Sequence, residues 1–132
     1  MMLLDTHTLL WVRLGGGRLG RQARRAIDRA VQARDVAVSA ISFWELGMLQ
    51  EKGRLAVLQD IASWREELLE AGLVEISVTG IIAARAGVLP DLHGDPADRI
   101  IIATALEGHR LVTSDRRILD WPGNLNRLDA TA

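Results

Sequence analysis

Four short aliphatic runs, Met2-Leu3-Leu4-Asp5, Val36-Ala37-Val38-Ser39, Val74-Glu75-Ile76-Ser77-Val78 and Arg110-Leu111-Val112-Thr113, are separated by longer segments in which apolar residues recur every three or four positions. The short runs read as strands and the longer ones as amphipathic helices. From Arg21 to Ala33, for instance, Ala23, Ala26, Ile27, Ala30 and Val31 share one face, with the arginines largely opposite. The same period marks Ser42 to Lys52, Asp60 to Ala71, Thr79 to Gly87 and Asp95 to Glu107. Strands alternating with helices can pair in parallel only through crossover connections, so the pattern predicts an α/β sandwich with a mostly parallel sheet of four to five strands. The tail from Asn124 to Asp129 is the candidate fifth, edge strand. With 132 residues, no internal repeat and no linker-like stretch, one domain over 1–132 is expected.

The chain has no cysteine. A disulfide framework and a thiolate metal site are therefore ruled out, and any metal must take oxygen or imidazole ligands. The longest apolar stretches, Met1 to Leu4 and Ile100 to Ala103 with Ala105 and Leu106, fall well short of the ~20 residues that span a bilayer. Asp5 and His7 interrupt the apolar start and no basic residue precedes it, unlike a signal peptide. The expectation is a cytoplasmic protein without a membrane segment. A formal net charge of −1 argues on its face against a nucleic-acid partner, but the charge is unevenly spread. Between Trp11 and Arg34, the residues Arg13, Arg18, Arg21, Arg24, Arg25, Arg29 and Arg34 face only Asp28. Such a run is either a solvated helix face or a surface for phosphates or an acidic partner.

In open parallel sheets ligands bind beyond the carboxyl ends of the strands. Asp5 closes the first strand, Ser39 and then Glu45 follow the second, and Asp115 follows the fourth, while Asp98 opens the helix leading into that fourth strand. Convergence of these carboxylates would raise their pKa values by mutual repulsion, which a hard divalent cation relieves while supplying phosphate-ester chemistry. Helix capping is the competing explanation. Ser42-Phe43-Trp44-Glu45 has the form of a capping box, Asp95-Pro96-Ala97-Asp98 places an N-cap acid, a first-turn proline and an acid at N3, and Asp115 precedes the short turn Arg116 to Leu119. Asp5 escapes that explanation in the sequence, because it ends an apolar strand where an unpaired carboxylate is costly.

Leu3-Leu4-Asp5-Thr6-His7-Thr8-Leu9-Leu10-Trp11, Ser39-Ala40-Ile41-Ser42-Phe43-Trp44-Glu45-Leu46, Leu89-Pro90 with His93-Gly94-Asp95-Pro96-Ala97-Asp98-Arg99, and Leu111-Val112-Thr113-Ser114-Asp115 resemble the successive signatures of VapC-type PIN domains, in the family's order and across nearly the whole chain. The resemblance implies a PIN-like three-layer sandwich and a Mg²⁺-dependent endoribonuclease, with Mn²⁺ as the substitute ion. Such an enzyme hydrolyses RNA phosphodiester bonds with a metal-activated water, and a VapB-type antitoxin holds it in check. It further implies a homodimer and a larger toxin–antitoxin hetero-oligomer. Carried onto matching positions, Asp5 and Asp98 are the principal metal ligands, and Glu45 and Asp115 complete the acidic pocket. Asp95, which shares a helix face with Asp98, and Thr6 are auxiliary candidates, and Arg24 and Arg25 of the basic run, with Arg99, are candidate contacts to RNA or antitoxin. Two positions depart from the family pattern: Leu49 stands where a lysine is common, and Ala97 where a bulkier residue precedes the third acid.

Other signals weigh less. Gly15-Gly16-Gly17-Arg18-Leu19-Gly20 matches GxGxxG formally, but it lies some ten residues beyond Asp5 instead of closing a strand turn, so a dinucleotide site is not expected. His7, His93 and His109 are too scattered for a histidine triad, although His7 and His93 flank the acidic positions. Trp44 and Trp64 have helical partners at core spacing and are expected to pack inside. Against the enzyme stands a second reading, a PIN-fold binding module without catalysis that acts through its partner; the intact set of four acids favours the enzyme.

Overall fold

The computed structural model describes residues 1–132 except 56 and 58. Among the described residues, the strands are β1 (Met2–Leu4), β2 (Val36–Ser39), β3 (Val74–Ile76), β4 (Arg110–Thr113) and β5 (Arg127–Asp129). The helices are α1 (Thr6–Leu14), α2 (Arg21–Gln32), α3 (Ile41–Glu51), α4 (Ile61–Glu70), α5 (Gly80–Gly87), α6 (Pro96–Ala105) and α7 (Arg116–Leu119). The strands form one sheet in the order β3-β2-β1-β4-β5, and every pairing is parallel. Leu3 of β1 lies opposite Ala37 of β2 and Leu111 of β4, so the three central strands end together.

Period-two alternation divides the sheet into two apolar faces. Leu4, Val38, Val112 and Leu128 point to a layer with Leu9 of α1, Ala23 and Ile27 of α2, and Ile61, Trp64 and Leu68 of α4. Leu3, Ala37 and Leu111 point the other way, onto Ile101 and Ile102 of α6 and Ile118 of α7. Strands buried on both faces carry apolar residues at nearly every position, which is why the runs in the sequence are continuous and not alternating. Helix α3 straddles the layers, with Leu46 in the first cluster and Ile41 against the second. No described helix is long and apolar enough to cross a membrane.

Helix α1 is absent from the reading of the sequence, and its capping residue is the one acid that reading exempted. The Asp5 side chain accepts a hydrogen bond from the Thr8 backbone N–H at 2.9 Å and caps α1. The continuous apolar stretch from Leu9 to Val12 carries no one-sided pattern, and two of its preceding residues, Thr6 and Thr8, are β-branched; the cap and burial of Leu9 decide the helix. The converse error concerns Ser42 and Glu45. Helix α3 starts at Ile41 with Ala40 at its N-cap and no side-chain cap, so this pair lies inside the helix and forms no capping box.

The glycine run has local explanations. Gly15 caps α1 at φ 77°, and at Gly17, with φ 65°, a Cβ would overlap the Trp11 ring within 2.5 Å. At Gly20 a Cβ would sit 1.8 Å from the Ala132 oxygen, which accepts hydrogen bonds from the Gln22 and Ala23 backbone N–H groups at the otherwise uncapped start of α2. Trp64 is buried as expected, but Trp44 is half exposed, since Leu46 and not Trp44 lies on the inner side of α3. Trp121 is buried and donates its indole N–H to the Pro90 carbonyl at 2.8 Å.

Ile102 is fully buried at the centre of the second layer, whereas Ile81 on α5 is 76% exposed. We expect Ile102→Ala to lower the unfolding free energy by about 2–5 kcal/mol, and Ile81→Ala to change it by no more than about 0.5 kcal/mol. Urea denaturation measures both; equal effects would contradict this layer assignment.

Candidate active site

The carboxyl ends of β1, β2 and β4 meet at one edge because their registers are aligned. The first residue beyond β1 is Asp5, whose carboxylate is buried. One of its oxygens accepts from Thr8 N–H and the other from the Thr113 hydroxyl at the end of β4, so both are held in place. The Thr113 oxygen also accepts the Asp115 backbone N–H at 3.1 Å. A single hydroxyl thus ties the acid after β1 to the acid after β4.

Thr6, the next residue along, reaches the other side. Its hydroxyl donates to the Glu45 carboxylate and lies 2.9 Å from the Ser42 hydroxyl oxygen on the same helix. Asp98 arrives from the first turn of α6, where Asp95 as N-cap accepts its backbone N–H at 3.1 Å. The His93 Nε2 atom is 2.8 Å from Asp98 Oδ2, while His93 Nδ1 is buried with no hydrogen-bond partner among the described residues. Asp115 caps α7 by accepting the Arg117 backbone N–H at 2.8 Å. The Arg117 guanidinium turns back onto this cap, 3.0 Å from Asp115 Oδ2 and 3.7 Å from Asp98 Oδ2.

Among the described residues, one group of three offers ligand atoms within 4.8 Å of one another: His93, Asp98 and Asp115. Asp5 and Glu45 stand outside that group and are joined to it through Thr113 and through the field of Asp98. Burial pushes the Glu45 carboxyl up from its ordinary value, the Thr6 hydrogen bond opposes this, and the negative charges of Asp98 and Asp95 add to it. Asp98 is raised in the same way, by burial first, against the His93 hydrogen bond and with Asp95 and Asp115 contributing. Asp115 goes the other way: burial alone would lift it, but side-chain and backbone hydrogen bonds from Arg117 hold it below the usual carboxylate range. Carboxylate oxygens with one imidazole nitrogen, crowded together, make a donor set that fits a hard or borderline divalent cation.

The remaining sequence candidates separate. Arg99 is oriented inward: Nε donates to the Ala86 carbonyl, and the terminal nitrogens donate to the Leu89, Leu92 and His93 carbonyls. It fixes the loop that presents His93 and has no free fork for RNA or an antitoxin, a correction that the position beside Asp98 concealed. Arg24 and Arg25 are exposed on α2 and form no ion pair among the described residues. His7 is exposed near Glu45, and His109 lies beside the Met1 amino group, far from the acids in the fold. Thr113, Ser42 and Arg117 were not among the site residues expected from the sequence. Thr113 alone carried a usable signal, a hydroxyl residue ending the strand two places before Asp115.

The opposite pKa directions give opposite stability signs. A carboxyl raised in the folded state binds its proton more tightly there, so stability falls as pH rises from its ordinary value through the raised one. Asp115, lowered, contributes stability that is present above its ordinary value and lost as pH falls through the folded one. In EDTA near neutral pH we therefore expect Glu45→Gln and Asp98→Asn to unfold at an equal or higher temperature than the wild type, and Asp115→Asn at a lower one. Thermal unfolding of the four proteins checks this; destabilisation by Asp98→Asn would show that its contacts to His93, Arg117 and the α6 dipole outweigh the repulsion from neighbouring acids.

The profile of the PIN domain matches residues 2–123. Over 119 residues the chain is 42% identical to Ribonuclease VapC22 of Mycobacterium tuberculosis, covering 89% of this chain and 88% of that protein. Among solved structures, it resembles VapBC2 from Rickettsia felis bound to a DNA fragment from their promoter, with a TM-score of 0.66, 16% identity and 96% of each chain covered. A toxin–antitoxin complex from Klebsiella pneumoniae gives a TM-score of 0.63 at 21% identity over 98% of each chain, and FitAcB from Neisseria gonorrhoeae 0.64 at 19% over 98%. At these identities the structural likenesses speak for the fold.

Proposed function

Because the chain belongs to the PIN-domain family, we propose that it is a metal-dependent endoribonuclease and the toxin of a VapBC-type toxin–antitoxin pair. The observation that carries this reading is the acidic group at the carboxyl edge of the sheet, where Asp98 and Asp115 meet with His93, Asp5 is tied to Asp115 through Thr113, and Glu45 lies in the field of Asp98, with two of the carboxyls raised by burial and crowding. Likeness to Ribonuclease VapC22 across most of both chains supports the ribonuclease assignment. The solved toxin–antitoxin complexes among its structural neighbours support an antitoxin partner of the VapB type. Trp44 and Met48 on α3, with Ile81 on α5 and Val88 at its C-cap, supply exposed apolar surface for a homodimer within a larger hetero-oligomer.

Asp5 and Asp98 hold the cation in this reading, with Asp115 beside them and Asp95 and Thr6 in support. A bound Mg²⁺ or Mn²⁺ supplies Lewis-acid charge to the phosphodiester and to the attacking water. Thr8 and Thr113 fix both oxygens of Asp5, so its carboxylate is oriented before any ligand arrives. His93 does the same for one oxygen of Asp98. Glu45, with its pKa lifted towards working pH, accepts the proton from the attacking water, and the Thr6 hydroxyl keeps that carboxylate in position. Arg24 and Arg25 are free to take RNA phosphates or acidic parts of the antitoxin.

We expect structured RNA to be cleaved in Mg²⁺ or Mn²⁺ and not in EDTA, leaving 5′-phosphate and 3′-hydroxyl ends. Cleavage that persists in EDTA, or 2′,3′-cyclic phosphate ends, would sink the mechanism. RNA or antitoxin binding with no cleavage by the wild type would instead favour the binding-module reading. Neutralising Arg24 and Arg25 together should weaken RNA binding and lower the slope of log affinity against log salt by about one per lost phosphate contact. An unchanged slope and unchanged antitoxin affinity would leave that helix face merely solvated.

A further inference from the structure

We propose that Arg117 is a built-in exchange cation, which forks onto Asp115 and pairs with Asp98 Oδ2 in the metal-free protein and is displaced from them when a divalent ion binds. The inference rests on reading the acidic group as a metal site. It begins from which oxygens the guanidinium and its backbone engage. Asp115 Oδ1 accepts the Arg117 backbone N–H at 2.8 Å and Nε at 3.3 Å, and Asp115 Oδ2 accepts Nη2 at 3.0 Å. The same Nη2 lies 3.7 Å from Asp98 Oδ2, the oxygen that also meets His93 Nε2. Guanidinium forks fill the in-plane lone pairs of a carboxylate in pairs, the same lone pairs a cation needs. Ion and guanidinium therefore compete for Asp115 and for Asp98 Oδ2, and their like charges disfavour joint occupancy.

The side chain is built to leave. It is 62% exposed, and its backbone N–H bond to Asp115 does not depend on the guanidinium, so α7 keeps its cap during the exchange. Its neighbour Arg116 is turned away, onto Asp120 at 3.1 Å and Asp129 at 3.4 Å. Two adjacent arginines of equal charge thus differ in one respect, whether they sit on the metal-binding oxygens. Such an exchange sets a threshold: a monovalent ion gains too little from the two carboxylates to displace a forked guanidinium, whereas a divalent ion gains more. Once released, the Arg117 fork stands at the mouth of the site with no carboxylate to hold it, in reach of an incoming phosphate.

Calorimetric titration with Mn²⁺ of the wild type, Arg117→Gln, Arg117→Lys and Arg116→Gln tests the exchange without using activity. Removal of an exposed ion-pair competitor should tighten Mn²⁺ binding about two- to fivefold in Arg117→Gln. Arg117→Lys, which keeps the charge and loses the fork, should fall between it and the wild type, and Arg116→Gln should match the wild type. In parallel, the Arg117 Nε–H resonance should shift on titration with Mg²⁺ as the fork is released. Equal affinity in wild type and Arg117→Gln, an equal gain in Arg116→Gln, or an Nε–H signal that stays fixed while Mg²⁺ binds would each overturn the exchange. No Mn²⁺ binding by the wild type would overturn the metal reading itself, and the inference with it.

Discussion

A carboxylate buried at the end of the central strand is the constraint around which this fold is arranged. Asp5 sits between the two apolar layers, where an ionised group is tolerated only if its oxygens are partnered. The structure supplies one partner from the chain ahead of it, the first turn of α1, and one from the adjacent strand, the Thr113 hydroxyl. Both depend on parallel pairing of β1 with β4 in a register that ends the two strands together. An antiparallel neighbour, or a slip of one residue, would turn the hydroxyl to the opposite face and leave the acid unpartnered.

From that anchor the rest of the site follows by short steps. Thr113 passes the connection to Asp115 through its amide, Asp115 and Asp98 share the Arg117 guanidinium, and Asp98 is oriented by His93. On the far side, Thr6 carries the connection to Glu45. The pocket therefore holds carboxyls in two electrostatic conditions. Glu45 and Asp98 are crowded and desolvated, so their charged forms are disfavoured; Asp115 is stabilised as an anion by an adjacent cation. Groups pushed apart in this way can divide the work of holding positive charge and moving a proton.

Capping and chemistry are not alternatives here. Asp5, Asp95 and Asp115 each cap a helix and each lie in or beside the acidic group. In a parallel α/β sandwich the helices that return to the sheet start at its carboxyl edge, so the residues suited to cap them are already at the place where ligands bind. Reading capping and catalysis as competing explanations for one acid therefore sets up a choice the fold does not impose. Arg99 shows the reverse case, a charged residue inside a functional motif whose four hydrogen bonds to carbonyls make it part of the scaffold.

What the sequence by itself determined was the strands, the longer helices α2 to α6, the parallel sheet, and the positions of Asp5, Glu45, Asp98 and Asp115 just after strands or in the first turns of helices. Apolar runs of strand length and apolar faces of helical period are local properties, visible within about a dozen residues. Helix α1 escaped because Leu9 to Val12 is apolar all round, and only packing shows which side is inward. Trp44 was placed inside by spacing, yet rotation of α3 about its axis gives the inner position to Leu46. The hydroxyl bridge from Thr113 to Asp5 spans residues 108 apart in the chain, and the Thr6 contact to Glu45 spans 39. Side-chain hydrogen bonds of that kind carry no periodic signal; they exist only once the strands have fixed their register, so the tertiary structure alone decided which acids are held, crowded or neutralised.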